Sequence, residues 1–180
     1  MSRLEISGNV KIIHDNSFEN VPRLKRLVLF GLAQIISISQ DAFGELKSLD
    51  SLRIDRVPLG LMKTLKLFRP LGNRNMSSIF IKMVEYSVSA DDGSLLMRDC
   101  FIDRDKTQYL TSICVKDFSL TNNQIFVMQE DALYSPIWES CLRSIDLSNN
   151  PLCGTREAFL RLLTFKNLER ISVADTLRAR

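Results

Sequence analysis

A single histidine, His14, precedes Asp15 directly and Ser17 by three positions, so the residue types of a hydrolytic triad occur within one short stretch. Catalysis by such a triad requires a base against a nucleophile in space, with a third group orienting the base, and closeness in sequence supplies none of that. No catalytic constellation and no enzymatic activity are expected. The four cysteines, Cys100, Cys114, Cys141 and Cys153, lack CxxC spacing, and Asp103 and Asp105 lack the remaining ligands of a calcium loop. Seven scattered glycines form no phosphate cradle. Neither a metal nor a cofactor is expected.

What remains is binding chemistry. The net charge of +3 is mild and does not select a partner. Locally, Arg53, Arg56, Lys63, Lys66, Arg69 and Arg74 are opposed only by Asp55. A nucleic-acid surface would need such cations on one face with aromatic residues between them. Most of this stretch is expected on a return path between strands, so a solvated face is favoured over phosphate contact.

The elements that would position any binding residue emerge from "LRSIDLSNNPL" at 142–152. Ile145 and Leu147 share one face of a short strand, and Asn149, Asn150 and Pro151 end it. The pattern recurs in register at Leu4, Leu27, Leu52, Ile79, Phe118, Ile145 and Ile171, at intervals of 23, 25, 27, 39, 27 and 26 residues. A downstream piece recurs too: "IHDNSFENVPRL" (13–24) matches "ISQDAFGELKSL" (38–49), and "MQEDALYSPI" (128–137) follows their first half. Self-similarity at this period is the signature of stacked units that bury a core only jointly. Leu27, Leu29, Leu52, Ile54, Ile79, Ile81, Phe118, Leu120, Ile145, Leu147, Ile171 and Val173 should form that interior.

The form "AFxxLxxLxxLxL" at Ala42 to Ile54 resembles the typical leucine-rich repeat of animal Toll-like receptor ectodomains. The resemblance implies an α/β repeat fold: a curved solenoid with a parallel concave β-sheet and convex returns of loop or short helix. Residues 1–180 then form one domain of about seven repeats, with an irregular long repeat or insertion near 85–112 that could project toward a partner. In the family pattern an asparagine after each strand bonds backbone groups of the next coil. Asn9, Asn123 and Asn150 hold that position, whereas Leu32, Val57 and Val84 lack the chemistry. Phe18 and Phe43 mark the convex side, Leu133 replaces them later, and the signal blurs near Pro70.

Cys114 and Cys141 occupy the same position relative to Phe118 and Ile145, which is compatible with a bridge; Cys100 with Cys114 is the competing pair. Cys153 is expected as a plain buried thiol. Asn75 opens the sequon "NMS", a candidate glycosylation site. "SRLEISGNV" reads as a strand rather than a leader, no apolar run reaches the length of a spanning helix, and the family's cysteine-rich end caps are missing. The chain is therefore expected to be part of a longer protein.

Alternate strand residues should form the concave surface. The candidate ligand-binding residues are Arg26, Val28, Phe30, Arg53, Asp55, Phe80, Lys82, Met83, Thr121 and Asp146, with the phenylalanines either open to a partner or covered by adjoining side chains. Arg26 and Arg53 are expected in comparable columns, placed to grip an anion. The resemblance implies a protein, microbial or danger-associated ligand on this face, receptor dimerisation in the full-length protein, and an extracellular, cell-surface or endosomal location without membrane contact from this segment. The alternative is a cytoplasmic repeat scaffold that binds other proteins through the same face.

Overall fold

The computed structural model describes residues 2–84, 101–153 and 155–174. Its main feature is a seven-stranded parallel sheet laid down in chain order from β1 (Arg3–Ser7), β3 (Arg26–Phe30), β5 (Ser51–Asp55), β6 (Asn75–Lys82), β8 (Cys114–Ser119), β10 (Ser144–Asp146) and β11 (Arg170–Ser172). Cross-strand partners run Leu4–Leu27–Leu52–Ile79–Phe118–Ile145–Ile171, the register on which the sequence aligns. Parallel neighbours of equal phase place every aliphatic pair on one side, so a one-residue slip would turn the whole set toward water.

On the return side, β2 (Ile12–Ile13) pairs with β4 (Ser37–Ile38), and β7 (Phe101–Ile102) with β9 (Val127–Met128). Between these layers lies a single apolar cluster. Phe18 and Phe43 are buried with ring centroids 6.1 Å apart. Farther along, Trp138 meets Phe118 edge-on at 4.8 Å and donates its indole N–H to the Ile113 carbonyl at 3.0 Å, so the bulkiest core side chain leaves no polar atom unpaired. Leu133 is buried where the sequence substitutes it for phenylalanine.

The region that blurs near Pro70 is a helical return. Leu61, Thr64, Leu65 and Phe68 are buried, the spacing of one helix face, and they form α1 (Leu61–Lys66) and the start of the 3-10 turn Arg69–Leu71. Helix α2 (Arg104–Thr111) is capped by Asp103, which accepts the Lys106 N–H at 2.9 Å, and α3 (Pro136–Cys141) by Ser135, which accepts the Trp138 N–H at 3.1 Å. In α4 (Arg156–Leu162), Ala158 and Leu162 face inward. Most of the irregular segment, residues 85–100, lies outside the described residues.

The far end of the expected interior differs from the reading. Ile171 is only half-buried and Val173 is exposed, because β11 is the last strand of the described sheet and nothing described covers its outer side.

The strands end alike. The residue four places after each of the first six anchors has positive φ: Gly8 (89°), Gly31 (62°), Arg56 (55°), Met83 (51°), Asn122 (57°) and Asn149 (58°). This left-handed step suits glycine and asparagine. Arg56 and Met83 adopt it without either advantage.

Candidate recognition face

The outward side of the sheet is organised in columns. One runs Arg3–Arg26–Ser51–Ser78–Asp117–Ser144–Arg170, the next Glu5–Val28–Arg53–Phe80–Ser119–Asp146–Ser172, and the third Ser7–Phe30–Asp55–Lys82. Arg26 and Arg53 therefore belong to different columns: Arg26 faces Ser51, and Arg53 faces Val28. Register, set by the anchors, overrides the apparent correspondence of the two arginines.

Over β1, β3, β5 and β6 these columns frame an open depression of about 480 Å³, bordered by Arg26, Val28, Phe30, Arg53 and Phe80, with Arg3 and Glu5 at one side. Its cations are not equivalent. Arg3 pairs with Glu5 at 2.9 Å, and Arg53 with Asp55 at 2.6 Å. Arg26 is exposed and no ion pair engages it among the described residues. The guanidinium of Arg56, at the left-handed step after β5, lies 5.2 Å from the centre of the Phe30 ring, a cation–π contact. Phe80 is 40% exposed and Met83 45%.

Two candidates do not present themselves as expected. Val28 is buried because its short side chain stands between the longer Glu5 and Arg53. Asp55 is only 3% exposed, flanked by Phe30 and Lys82; one carboxylate oxygen holds Arg53 and the other has no hydrogen-bond partner among the described residues. Lys82 is half-buried at the same edge. Thr121 and Asp146 lie over the C-terminal half of the sheet, away from the depression, and Asp146 accepts the Ser148 N–H at 3.0 Å as a local turn bond. Ser119 and Ser148 are buried, and Asp175 lies outside the described residues.

Sequence reading assigns Arg56 to a basic stretch on the return path. That stretch is divided: Arg53 and Arg56 serve the sheet face, Lys63, Lys66 and Arg69 sit on α1 and the turn after it, and Arg74 bonds the carbonyls of Leu46 and Gly44 at 2.8 and 3.2 Å. Burial lowers the pKa of Arg74 from its ordinary value, partly offset by Glu45. The position four residues after each anchor carries the signal that identifies Arg56 and Met83, once strand ends are compared.

Asn75 is exposed at the start of β6, and the Ser77 hydroxyl donates to the Asp50 carboxylate at 2.8 Å. Cys114 and Cys141 form a disulfide with Cα atoms 5.5 Å apart. Cys153 is a free, exposed thiol rather than a buried one; its backbone N–H bonds the Phe126 carbonyl, and Leu152 takes the inward position beside it. His14 is exposed, its backbone N–H bonds the Ser17 hydroxyl oxygen at 2.9 Å, and Asp15 accepts from Ser39. His14 and Ser17 thus serve a turn, and Asp15 links two successive return segments. Among the described residues, no three His, Cys, Asp or Glu side chains converge as a metal site, and no helix is long and apolar enough to cross a membrane. No protein-family model and no curated protein matches the chain.

Proposed function

We propose that the chain is a non-catalytic recognition module of the leucine-rich-repeat kind, forming part of a Toll-like innate immune receptor ectodomain. The observation that carries this reading is the pairing of seven in-register strands with an open depression where Phe80 and Arg26 stand exposed. A preformed sheet presents side chains in fixed positions, so binding loses little freedom in the scaffold and proceeds without covalent chemistry. In the full receptor this face would meet a microbial, danger-associated or protein ligand, and a second ectodomain would complete the signalling pair.

The Cys114–Cys141 disulfide favours an oxidising compartment over the cytoplasmic scaffold reading. The test is peptide mapping, under non-reducing conditions, of the protein isolated from its native cells. The proposal expects an intact Cys114–Cys141 bridge and glycan on Asn75. Reduced thiols with bare Asn75 in the mature, active protein would replace it with the intracellular scaffold.

A further inference from the structure

The depression is cationic, yet it is not a plain anion site. Arg3, Arg26 and Arg53 line it, with Arg56 beside them over the Phe30 ring; Glu5 neutralises Arg3 and the buried Asp55 neutralises Arg53. A polyphosphate would meet the Glu5 carboxylate and a floor of Val28, Phe30 and Phe80 that returns nothing to it. An apolar side chain gains from that floor, and a carboxylate gains from Arg26, whose charge has no counter-ion among the described residues.

The backbone supplies an independent argument. At four of the six described strand ends the left-handed step is filled by glycine or asparagine, and at two, the ends of β5 and β6, it is filled by Arg56 and Met83. Non-glycine residues held in that region concentrate where their side chains serve function. Arg56 lies against Phe30, and Met83 stays exposed beyond Lys82, so the two strained positions carry one cation and one apolar group at the same sheet edge.

Resting on the reading of this face as a recognition surface, we propose that Arg26, Phe30, Arg53, Arg56, Phe80 and Met83 dock an extended acidic polypeptide segment of a partner protein that also carries apolar side chains. Arg26 and Met83 stand two strands and five register positions apart, about 19 Å, which about six extended residues span. Carboxylates engage Arg26 and the rim cations, and apolar side chains cover Phe30 and Phe80.

The experiment pans a phage-displayed random dodecapeptide library against the immobilised chain and measures the selected peptides by fluorescence anisotropy. Enriched sequences should combine Asp or Glu with Phe, Leu or Tyr. Arg26→Glu and Phe80→Ser, both at exposed positions, should each weaken binding about 10-fold or more, whereas Lys11→Glu on the return side should leave it unchanged. Circular dichroism verifies that each variant is folded. An oligothymidylate 12-mer should fail to displace the peptide. Failure to enrich peptides, enrichment of basic peptides, displacement by the oligonucleotide, or indifference to Arg26→Glu would overturn the acidic-polypeptide partner. If selected peptides still depend on Phe80, the recognition face itself stands; if they depend on neither residue, the face falls as well.

Discussion

The side-chain oxygen of Asn150 accepts the backbone N–H of Asn123 at 2.9 Å, and the Asn123 side chain in turn accepts the Val84 N–H at 3.3 Å and donates to the Ile81 carbonyl at 2.8 Å. Asn150 also accepts from Ile125 and donates to Leu120 and Leu147. Each asparagine thus ties the backbone of the segment before it, the reverse of the direction expected from the sequence pattern. Asn9 takes no such role and is exposed, because β1 is the first strand and no described segment precedes it.

Both asparagines are buried, so removing either strands several backbone groups away from water. Asn150→Ala and Asn123→Ala should each destabilise the fold by about 2 to 4 kcal/mol, read from the midpoint of urea unfolding. Asn150→Asp should be as damaging, since a carboxylate cannot donate to the carbonyls of Leu120 and Leu147. Losses below half a kcal/mol would show that the backbone finds other partners.

Arg56 and Met83 hold positive φ where Gly8 and Gly31 stand in equivalent places. Replacing either by glycine relieves the steric conflict between Cβ and the backbone. Arg56→Gly and Met83→Gly should therefore raise stability by about 0.5 to 1 kcal/mol, while removing side chains from the candidate recognition face. A thermal-unfolding comparison in which both variants lose stability would contradict the strain argument.

The Arg53–Asp55 pair is asymmetric: Arg53 is half-exposed and Asp55 is buried. Arg53→Ala leaves the Asp55 carboxylate buried with neither oxygen partnered among the described residues, and should destabilise by about 1 to 3 kcal/mol. Asp55→Ala leaves Arg53 free to meet water, so its loss should be the smaller. Equal effects in chemical denaturation would mean that solvent reaches Asp55 in the folded protein.

The disulfide joins cysteines 27 residues apart and restrains the unfolded chain. Cys114→Ser with Cys141→Ser should lower stability by about 3 kcal/mol. Denaturant titration of that double variant against the oxidised parent gives the value, and a reduced parent that matches the parent before reduction would remove the bridge from any structural role.

The register was legible because alternation and recurrence reinforce each other: Leu27, Leu52, Ile79 and Ile145 announce one side of a strand at nearly constant spacing, and only one pairing buries them all. Asn123 and Asn150 were legible as turn asparagines, although the segment they bond was not, since a carboxamide reaches either way. Arg56 and Met83 carried no local sign of their backbone conformation, because neither residue type signals positive φ.

The amino-acid order alone determined which face of the sheet each strand residue takes, since side-chain alternation is a property of each strand taken separately. Tertiary structure decided how open each outward position is. Val28 and Asp55 have the alternation of surface residues and are covered by neighbours from other strands, Val28 by Glu5 and Arg53, Asp55 by Phe30 and Lys82. Cys153 and Leu152 likewise share one turn, and the packing of that turn against the core chose Leu152 for the interior.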